Sequence, residues 1–291
     1  ELAVEVLELG PGTEDRSANG TGPVRVGDHC AVLPYLSCGA CPACARGQAN
    51  CCERIEVLGV TIDGGMRERL VVPVSALYSQ PGLSLDQLAL VETLGIGMHA
   101  VERARPVPSD TVLIVGAGPI GLAIAQCLRN AVDQVVVSDL APGRLAFAER
   151  TLALAAVAAG PDLRDALREH LGGDLPTLVF DATGAKASME AAFELVGAGG
   201  TLVLVGHTTG PITFDNPLFH RRELDVRASR NALASEWATV LDRVAGATLD
   251  ALPWIGRRSS LAAVSDDLPE LAAATGDLIK AIVDIGPGAD R

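Results

Sequence analysis

Positive charge is scarce in this chain. Its 291 residues carry 23 Lys and Arg against 36 Asp and Glu, a net charge of −13. Phosphate-backbone binding draws its affinity from clustered cations, so this balance argues against a nucleic-acid partner. Acidity otherwise speaks to solubility. Long apolar runs are missing too: no stretch of eighteen apolar residues occurs, and the most apolar helix-like stretch, LAFAERTLALAAVAAG (145–160), contains Glu149 and Arg150. No membrane helix is therefore expected. No basic segment followed by an apolar one resembles a secretory signal, so a cytoplasmic protein is expected, in which crowded thiols serve as metal ligands rather than disulfides. What is present is apolar bulk: hydrophobic residues make up 48% of the chain. A chain of this length buries a large core and is expected to form two domains.

Five of the seven cysteines lie in CGACPACARGQANCC, residues 38–52. Cys38, Cys41, Cys44 and Cys52 have the spacing C-x2-C-x2-C-x7-C, and Gly39 and Gly47 let the backbone curl around a centre. Four thiolates suit tetrahedral zinc, whereas the bacterial iron–sulfur spacing with its closing Pro is absent. A site with four protein ligands is closed to substrate, so this zinc is expected to be structural. Cys51 sits beside the fourth ligand, while Cys30 and Cys127 lie in apolar surroundings and are read as small core residues.

A second pattern starts at TVLIVGAGPIGLAIAQCLRNAVDQVVVSDLAPGRL, residues 111–145. A strand (Val112 to Val115) leads into Gly116, Gly118 and Gly121, then a helical period, then a strand ending in Asp139. Strand, glycines, helix and acid in this order form a dinucleotide-binding fingerprint. Gly116 allows the tight turn, Gly118 the approach of a pyrophosphate, and Gly121 the close packing of the helix whose N-terminus faces the phosphates. Asp139 would accept the ribose hydroxyls and repel a 2′-phosphate, which favours NAD over NADP. Arg144 could lie against the adenine or neutralise a phosphate. Strands at 177–183, 200–206 and 223–229 alternate with helices around 162–171, 186–196 and 234–245. A doubly wound parallel sheet from about Pro108 to Ala247 is predicted.

Together with VRVGDHCAVLPYLSCGACPACARGQANCC, DGGMRERLVVP, LSLDQLALVETLGIGMHAVERA, FDATG, GGTLVLVG and SRNA, these motifs resemble the zinc-containing medium-chain dehydrogenase/reductase (alcohol dehydrogenase) family over nearly the whole chain. The sorbitol, polyol and L-galactonate or L-gulonate 5-dehydrogenase-like branch is the most similar. The resemblance implies an α/β protein in which a GroES-like, β-rich catalytic domain accompanies a Rossmann domain. The implied division is 1–107 for the catalytic domain with its zinc loop, 108–247 for the NAD-binding domain, and 248–291 for a return to the catalytic domain, closed by a strand at LIKAIVDI. Beyond the glycines, Asp139 and Arg144, cofactor contacts are expected from Pro119, Ile120, Thr183, Val205, Ser229 and Arg230, the last able to meet a sugar-acid carboxylate instead. The implied reaction is zinc-assisted hydride transfer between a secondary alcohol and NAD; L-threonine or a simple alcohol is the substrate alternative.

Glu1 matches the Glu of the family's Gly-His-Glu motif, so the chain is expected to be N-terminally truncated, without the Cys and His ligands of a catalytic zinc. Glu92, in LVETLGIG, matches a position that supplies a ligand, or a partner of zinc-bound water, in the polyol branch. Thr93 stands where that motif has Pro, and as a residue in its own right Glu92 could equally be a helix N-terminal acid. An NAD-binding, zinc-stabilised chain without turnover is the alternative of a different class. The zinc-free quinone-reductase branch lacks the four-cysteine loop. His99 is read as packed and His207 as lying at a strand's C-terminal end, where open α/β sheets bind ligands. Few aromatics, with two Trp, two Tyr and five Phe, fit a polar substrate. Arg69 replaces a frequent aromatic, residues 10–28 read as a polar surface loop, a dimer or tetramer is expected through the 200–229 side of the sheet, and poor solubility is predicted for a chain lacking its first strands.

Overall fold

The computed structural model describes residues 1–13, 22–274, 276 and 278–286. The chain divides into two compact units, one of Glu1–Gly95, Asn231–Ala274 and Lys280–Arg291, the other of Ile96–Arg230 and Thr275–Ile279. The first unit opens with strands β1 (Ala3–Glu5), β2 (His29–Val32) and β3 (Tyr35–Leu36), the short helix α1 (Pro42–Ala45), and strands β4 (Glu56–Val57) and β5 (Leu77–Ser79). β1, β2 and β5 form an antiparallel sheet with Val4 opposite Cys30 and Ala31 opposite Tyr78. Val6, Val24, Cys30, Val32, Ala76 and Leu77 bury one apolar cluster there, so Cys30 is the core residue its neighbours predict. Part of the polar 10–28 segment, residues 14–21, lies outside the described residues.

Helix α2 (Leu85–Ala89) starts on a reciprocal cap: Ser84 Oγ accepts from the Gln87 N–H at 3.2 Å, and Gln87 Oε1 accepts from the Ser84 N–H at 2.9 Å. It is followed at once by α3 (Val91–Ala104). At the far end of α3, Arg227 Nη1 donates to the carbonyls of Arg103 and Ala104, both at 2.9 Å, satisfying two acceptors that a helix C-terminus leaves open.

The second unit alternates strand and helix: β6 (Thr111–Val115), α4 (Pro119–Leu128), β7 (Gln134–Asp139), α5 (Pro142–Leu152), β8 (Ala155–Ala158), α6 (Leu163–His170), β9 (Leu178–Asp181), α7 (Lys186–Leu195), β10 (Thr201–Leu204), α8 (Asn216–Arg222) and β11 (Asp225–Ala228). All six strands are parallel, in the order β11-β10-β9-β6-β7-β8. Val112, Leu113, Ile114, Val179, Phe180, Leu202 and Val203 are fully buried, as central parallel strands covered on both faces require. Residues 145–160 are not one helix: α5 ends at Leu152, Ala153 turns into the left-handed region at φ 54°, and Ala155–Ala158 joins the sheet as β8. An alanine-rich run carries no clear period, and pairing with β7 decides its state.

The chain then returns to the first unit with α9 (Ala234–Ala245), β12 (Ile255–Ser260), α10 (Val264–Ala273) and β13 (Lys280–Asp284), the strand expected at LIKAIVDI, which pairs in parallel with β12. Trp237 of α9 is wholly buried and meets Tyr78 with ring centroids 5.4 Å apart. Gly95 admits it: a Cβ there would lie 3.0 Å from Trp237 Nε1. Among the described residues no helix is long and apolar enough to cross a membrane. Because Trp237 and Tyr78 tie α9 to β5, Trp237→Ala should cost about 3–5 kcal/mol by leaving a large cavity. Urea unfolding that moves by under about 1 kcal/mol would remove this ring pair from the core.

Candidate functional site

The cysteine loop closes on itself. The Sγ atoms of Cys38, Cys41, Cys44 and Cys52 all lie within 4.8 Å of one another, near the spacing of about 3.8 Å that four sulfurs at about 2.3 Å around zinc would adopt. The chain geometry explains the convergence: Pro42 starts α1 just after Cys41, one helical turn brings Cys44 back beside it, and the Cys52 N–H to Ala49 carbonyl bond folds the fourth residue inward. Cys52 Sγ accepts from the N–H groups of Cys38 (3.3 Å) and Arg54 (3.4 Å), and the Arg54 guanidinium reaches Cys38 Sγ at 3.3 Å. Donors aimed at sulfur favour thiolate; the Ala40 N–H first, with help from Arg54, brings Cys38 down to about 6. These four residues fit zinc in donor type and spacing. Cys51 is exposed and outside the set.

The glycine loop lies where β6 meets α4. Gly116 has φ +104°, and a Cβ on Gly121 would sit 1.8 Å from the Gly116 carbonyl oxygen, so neither position accepts a side chain. Pro119 occupies the first turn of α4, with Gly118, Pro119 and Ile120 half-buried beside it. Asp139 ends β7; its Oδ2 accepts from the Ala117 N–H (2.7 Å) and its Oδ1 from the Ala141 N–H (2.8 Å). Each oxygen keeps a lone pair for a ribose hydroxyl. Arg144 stands over this turn, with Nη1 3.8 Å from Asp139 Oδ2 and 3.7 Å from where a Gly118 Cβ would be.

Thr183, Val205, Ser229 and Arg230 follow the C-terminal ends of β9, β10 and β11. With the glycine loop and Asp139 they share one end of the sheet, and β6, flanked by β9 and β7, is the point where strand order reverses. His207 lies exposed in the same set of loops, and His99 is buried on α3. Asp181, which sequence reasoning passed over, organises two of these loops. It is wholly buried; Oδ1 accepts from the Thr183 N–H (3.0 Å) and Oγ1 (2.8 Å), and Oδ2 from Ser188 Oγ (2.5 Å). Its carbonyl also takes the N–H groups of Val205 and Gly206 at 2.9 and 3.0 Å. An acid closing the otherwise apolar strand LVFD is the signal that could have found it.

Glu1 and Glu92 belong to a third group. Lys280 Nζ donates to Glu1 Oε2, and Tyr35 Oη donates to Glu92 Oε1. Burial pushes Glu92 up and the negative charge of Glu1 adds to that. Burial acts on Glu1 in the same sense, but the charge and hydrogen bond of Lys280 prevail and hold it below the usual range. Tyr35 and Lys280 were not singled out from the sequence, since each partner lies far along the chain. Among the described residues, the four-cysteine set is the one group of three or more His, Cys, Asp or Glu placed to hold a metal. Glu1 and Glu92 are not part of such a group among these residues. Arg69 is exposed on the surface of its unit.

Comparison with known proteins bears on these sites. Residues 1–82 match the alcohol dehydrogenase GroES-like domain, and residues 119–246 match the zinc-binding dehydrogenase domain. The L-galactonate-5-dehydrogenase of Escherichia coli K12 is 36% identical over 284 residues, covering 97% of this chain and 81% of that protein. The chain belongs to the zinc-type alcohol dehydrogenase family. Among solved structures, that of the alcohol dehydrogenase RspB from E. coli CFT073, complexed with NADH, superimposes with a TM-score of 0.83 at 29% identity over 92% of this chain and 80% of that one. A zinc-binding dehydrogenase from Sinorhizobium meliloti 1021, bound to NADP, gives 0.84 at 26% over 97% and 82%. The GroES-like and Rossmann pairing read from the sequence is thus the fold of this family.

Cys52 and Cys51 separate the metal set from its neighbour. Cys52→Ser should lower bound zinc severalfold and reduce the melting temperature, while Cys51→Ser leaves both unchanged. Equal zinc content in the two variants would show that the fourth sulfur is misassigned.

Proposed function

We propose that the chain is an NAD-linked dehydrogenase of a secondary alcohol of the polyol or sugar-acid class, with a structural zinc in the four-cysteine loop. The observation that carries this is the gathering of the Gly116–Gly121 turn, Asp139 and the Thr183, Val205 and Ser229 loops at the switch point of one parallel sheet. The 36% identity to an L-galactonate-5-dehydrogenase supports the substrate class. In this reading 108–247 is the cofactor domain and 1–107 with 248–291 the catalytic domain. NAD supplies the hydride acceptor. The chain's own residues position it: the α4 N-terminus and the Gly118 backbone receive the pyrophosphate, and Asp139 takes the adenosine ribose hydroxyls. Arg144 covers the adenine side, and Thr183, Val205, Ser229 and Arg230 line the nicotinamide end.

Asp139 sets cofactor choice here through a fixed negative charge held by two backbone donors. Asp139→Asn should lower the preference for NADH over NADPH by about tenfold, the worth of one charged hydrogen bond. Parallel fluorescence titrations of the two cofactors check it, and an unchanged ratio would move the discrimination to another residue.

A second reading has its own observation, since Glu1 and Glu92 are already engaged by Lys280 and Tyr35 and belong to no group of three or more His, Cys, Asp or Glu placed to hold a metal among the described residues. The described residues then bind NAD and one zinc without turnover. Zinc analysis, NADH titration and assays on polyols and sugar acids separate the two. Saturable NADH binding with oxidation of a polyol or sugar acid supports the first reading, NADH binding without oxidation the second, and failure to bind NADH refutes both.

A further inference from the structure

Cations are scarce in this chain, yet four of its arginines stand on α6 and α8, two helices that share one apolar cluster with α7. Leu163, Leu167 and Leu171 from α6 and its end, Phe193 and Leu195 from α7, and Leu218 and Phe219 from α8 pack together there. Arg164 and Arg168 stand one helical turn apart on α6, and Arg221 and Arg222 close α8. Arg222 Nη1 donates to the carbonyls of Glu194 (3.0 Å) and Val196 (2.7 Å) at the end of α7, and its own carbonyl receives the Gly199 N–H at 2.6 Å. One nitrogen therefore anchors the guanidinium to the framework; both of these bonds use Nη1.

Like charges held near one another cost free energy. Burial first, then the charges of Arg164 and Arg221 and, more weakly, Arg168, draw Arg222 below its usual range, while the carboxylate of Glu194 opposes them. Among the described residues, Arg164, Arg168 and Arg221 form no ion pair, and Arg164 Nε is buried without a hydrogen-bond partner. Of the acids on the same elements, Glu190 is taken by Thr213 and Lys186, and Asp165, Glu169, Glu194 and Glu223 are exposed, as are Arg168 and Arg221. Planar guanidinium forks match the oxygens of a phosphate, two donors at a time.

We propose that Arg164, Arg168, Arg221 and Arg222 form a binding site for a doubly charged phosphate, free or as a phosphomonoester. The site is separate from the dinucleotide's phosphates. Arg222 holds the loop that leads into the start of β10, whereas the Gly116–Gly121 turn follows the end of β6 in the same parallel sheet.

Calorimetric titration of the full chain tests this at fixed ionic strength, with inorganic phosphate in one arm and glycerol 3-phosphate in the other. Saturable binding of either, weakened at least about tenfold in Arg164→Gln/Arg168→Gln and unchanged in Arg144→Gln, supports the site. The tighter of the two ligands identifies free phosphate or phosphomonoester as the natural class. Arg222 is left intact because it closes α7, and an unaltered melting temperature and NADH affinity show that the double variant is folded. No saturable binding, binding that persists in the double variant, or binding lost in Arg144→Gln would overturn the proposal, the last by placing the anion in the glycine turn.

Discussion

The closest constraint in the Rossmann unit is a missing side chain. A Cβ at residue 121 would stand 1.8 Å from the Gly116 carbonyl oxygen, so α4 leans on the β6 turn with no atom to spare. That approach aims the helix N-terminus along the sheet's end and leaves the Gly118 backbone open to a ligand. Asp139 then fastens the turn from the next strand, holding Ala117 with one oxygen and Ala141 with the other. The carboxylate thus does two jobs at once: it fixes the loop and presents fixed negative charge at the end of β7. The same economy recurs one strand away, where buried Asp181 holds Thr183 and Ser188 through its side chain and Val205 and Gly206 through its carbonyl.

These features differ in how far the sequence discloses them. Gly116, Gly121 and Asp139 are legible because each is required by local chain geometry within one βαβ unit, and their order along the sequence is their order in space. The cysteine set is legible for the same reason: all four ligands lie within fifteen residues. Asp181 is local too, but a single acid after an apolar strand has no spacing rule to mark it. Tyr35 beside Glu92 and Lys280 beside Glu1 are products of tertiary folding, 57 and 279 residues apart, and no periodicity links them. The alanine-rich 145–160 stretch shows the complementary failure. Alanine favours helix through local propensity, yet β7 offers Ala155–Ala158 an edge to pair with, and the pairing prevails.

Exposure explains why the cysteine loop needs its own fastening. Its sulfurs have little apolar cover: Cys41, Ala43 and Cys52 form the whole buried core of that lobe, with Cys38, Cys44 and Ile55 partly buried against it. So small a core cannot hold fifteen residues by burial alone, given about 1–2 kcal/mol of backbone entropy for each ordered residue. Backbone N–H groups and Arg54 favour thiolate at Cys38 and Cys41, while burial and the neighbouring sulfurs push Cys44 up to about 11, so a cation is what would hold all four as thiolates together. The loop geometry is therefore understandable as that of a metal-fastened lobe.

The pair of carboxyl groups in the first unit follows the opposite logic. Glu1 and Glu92 are close enough for the charge of one to raise the other, which disfavours ionising both in a buried setting. Lys280 resolves the competition by taking Glu1 as its partner, so the negative charge settles there and Glu92 is left as the group that holds its proton longer. Tyr35 opposes this in part, since its hydroxyl donates to Glu92 and favours the ionised form; burial and Glu1 nevertheless prevail. The asymmetry comes from position and not from residue type, because both are glutamates: one meets a lysine on β13 and the other a tyrosine on β3. Such a split between two identical side chains is the arrangement by which a protein keeps one carboxyl charged and its neighbour able to donate.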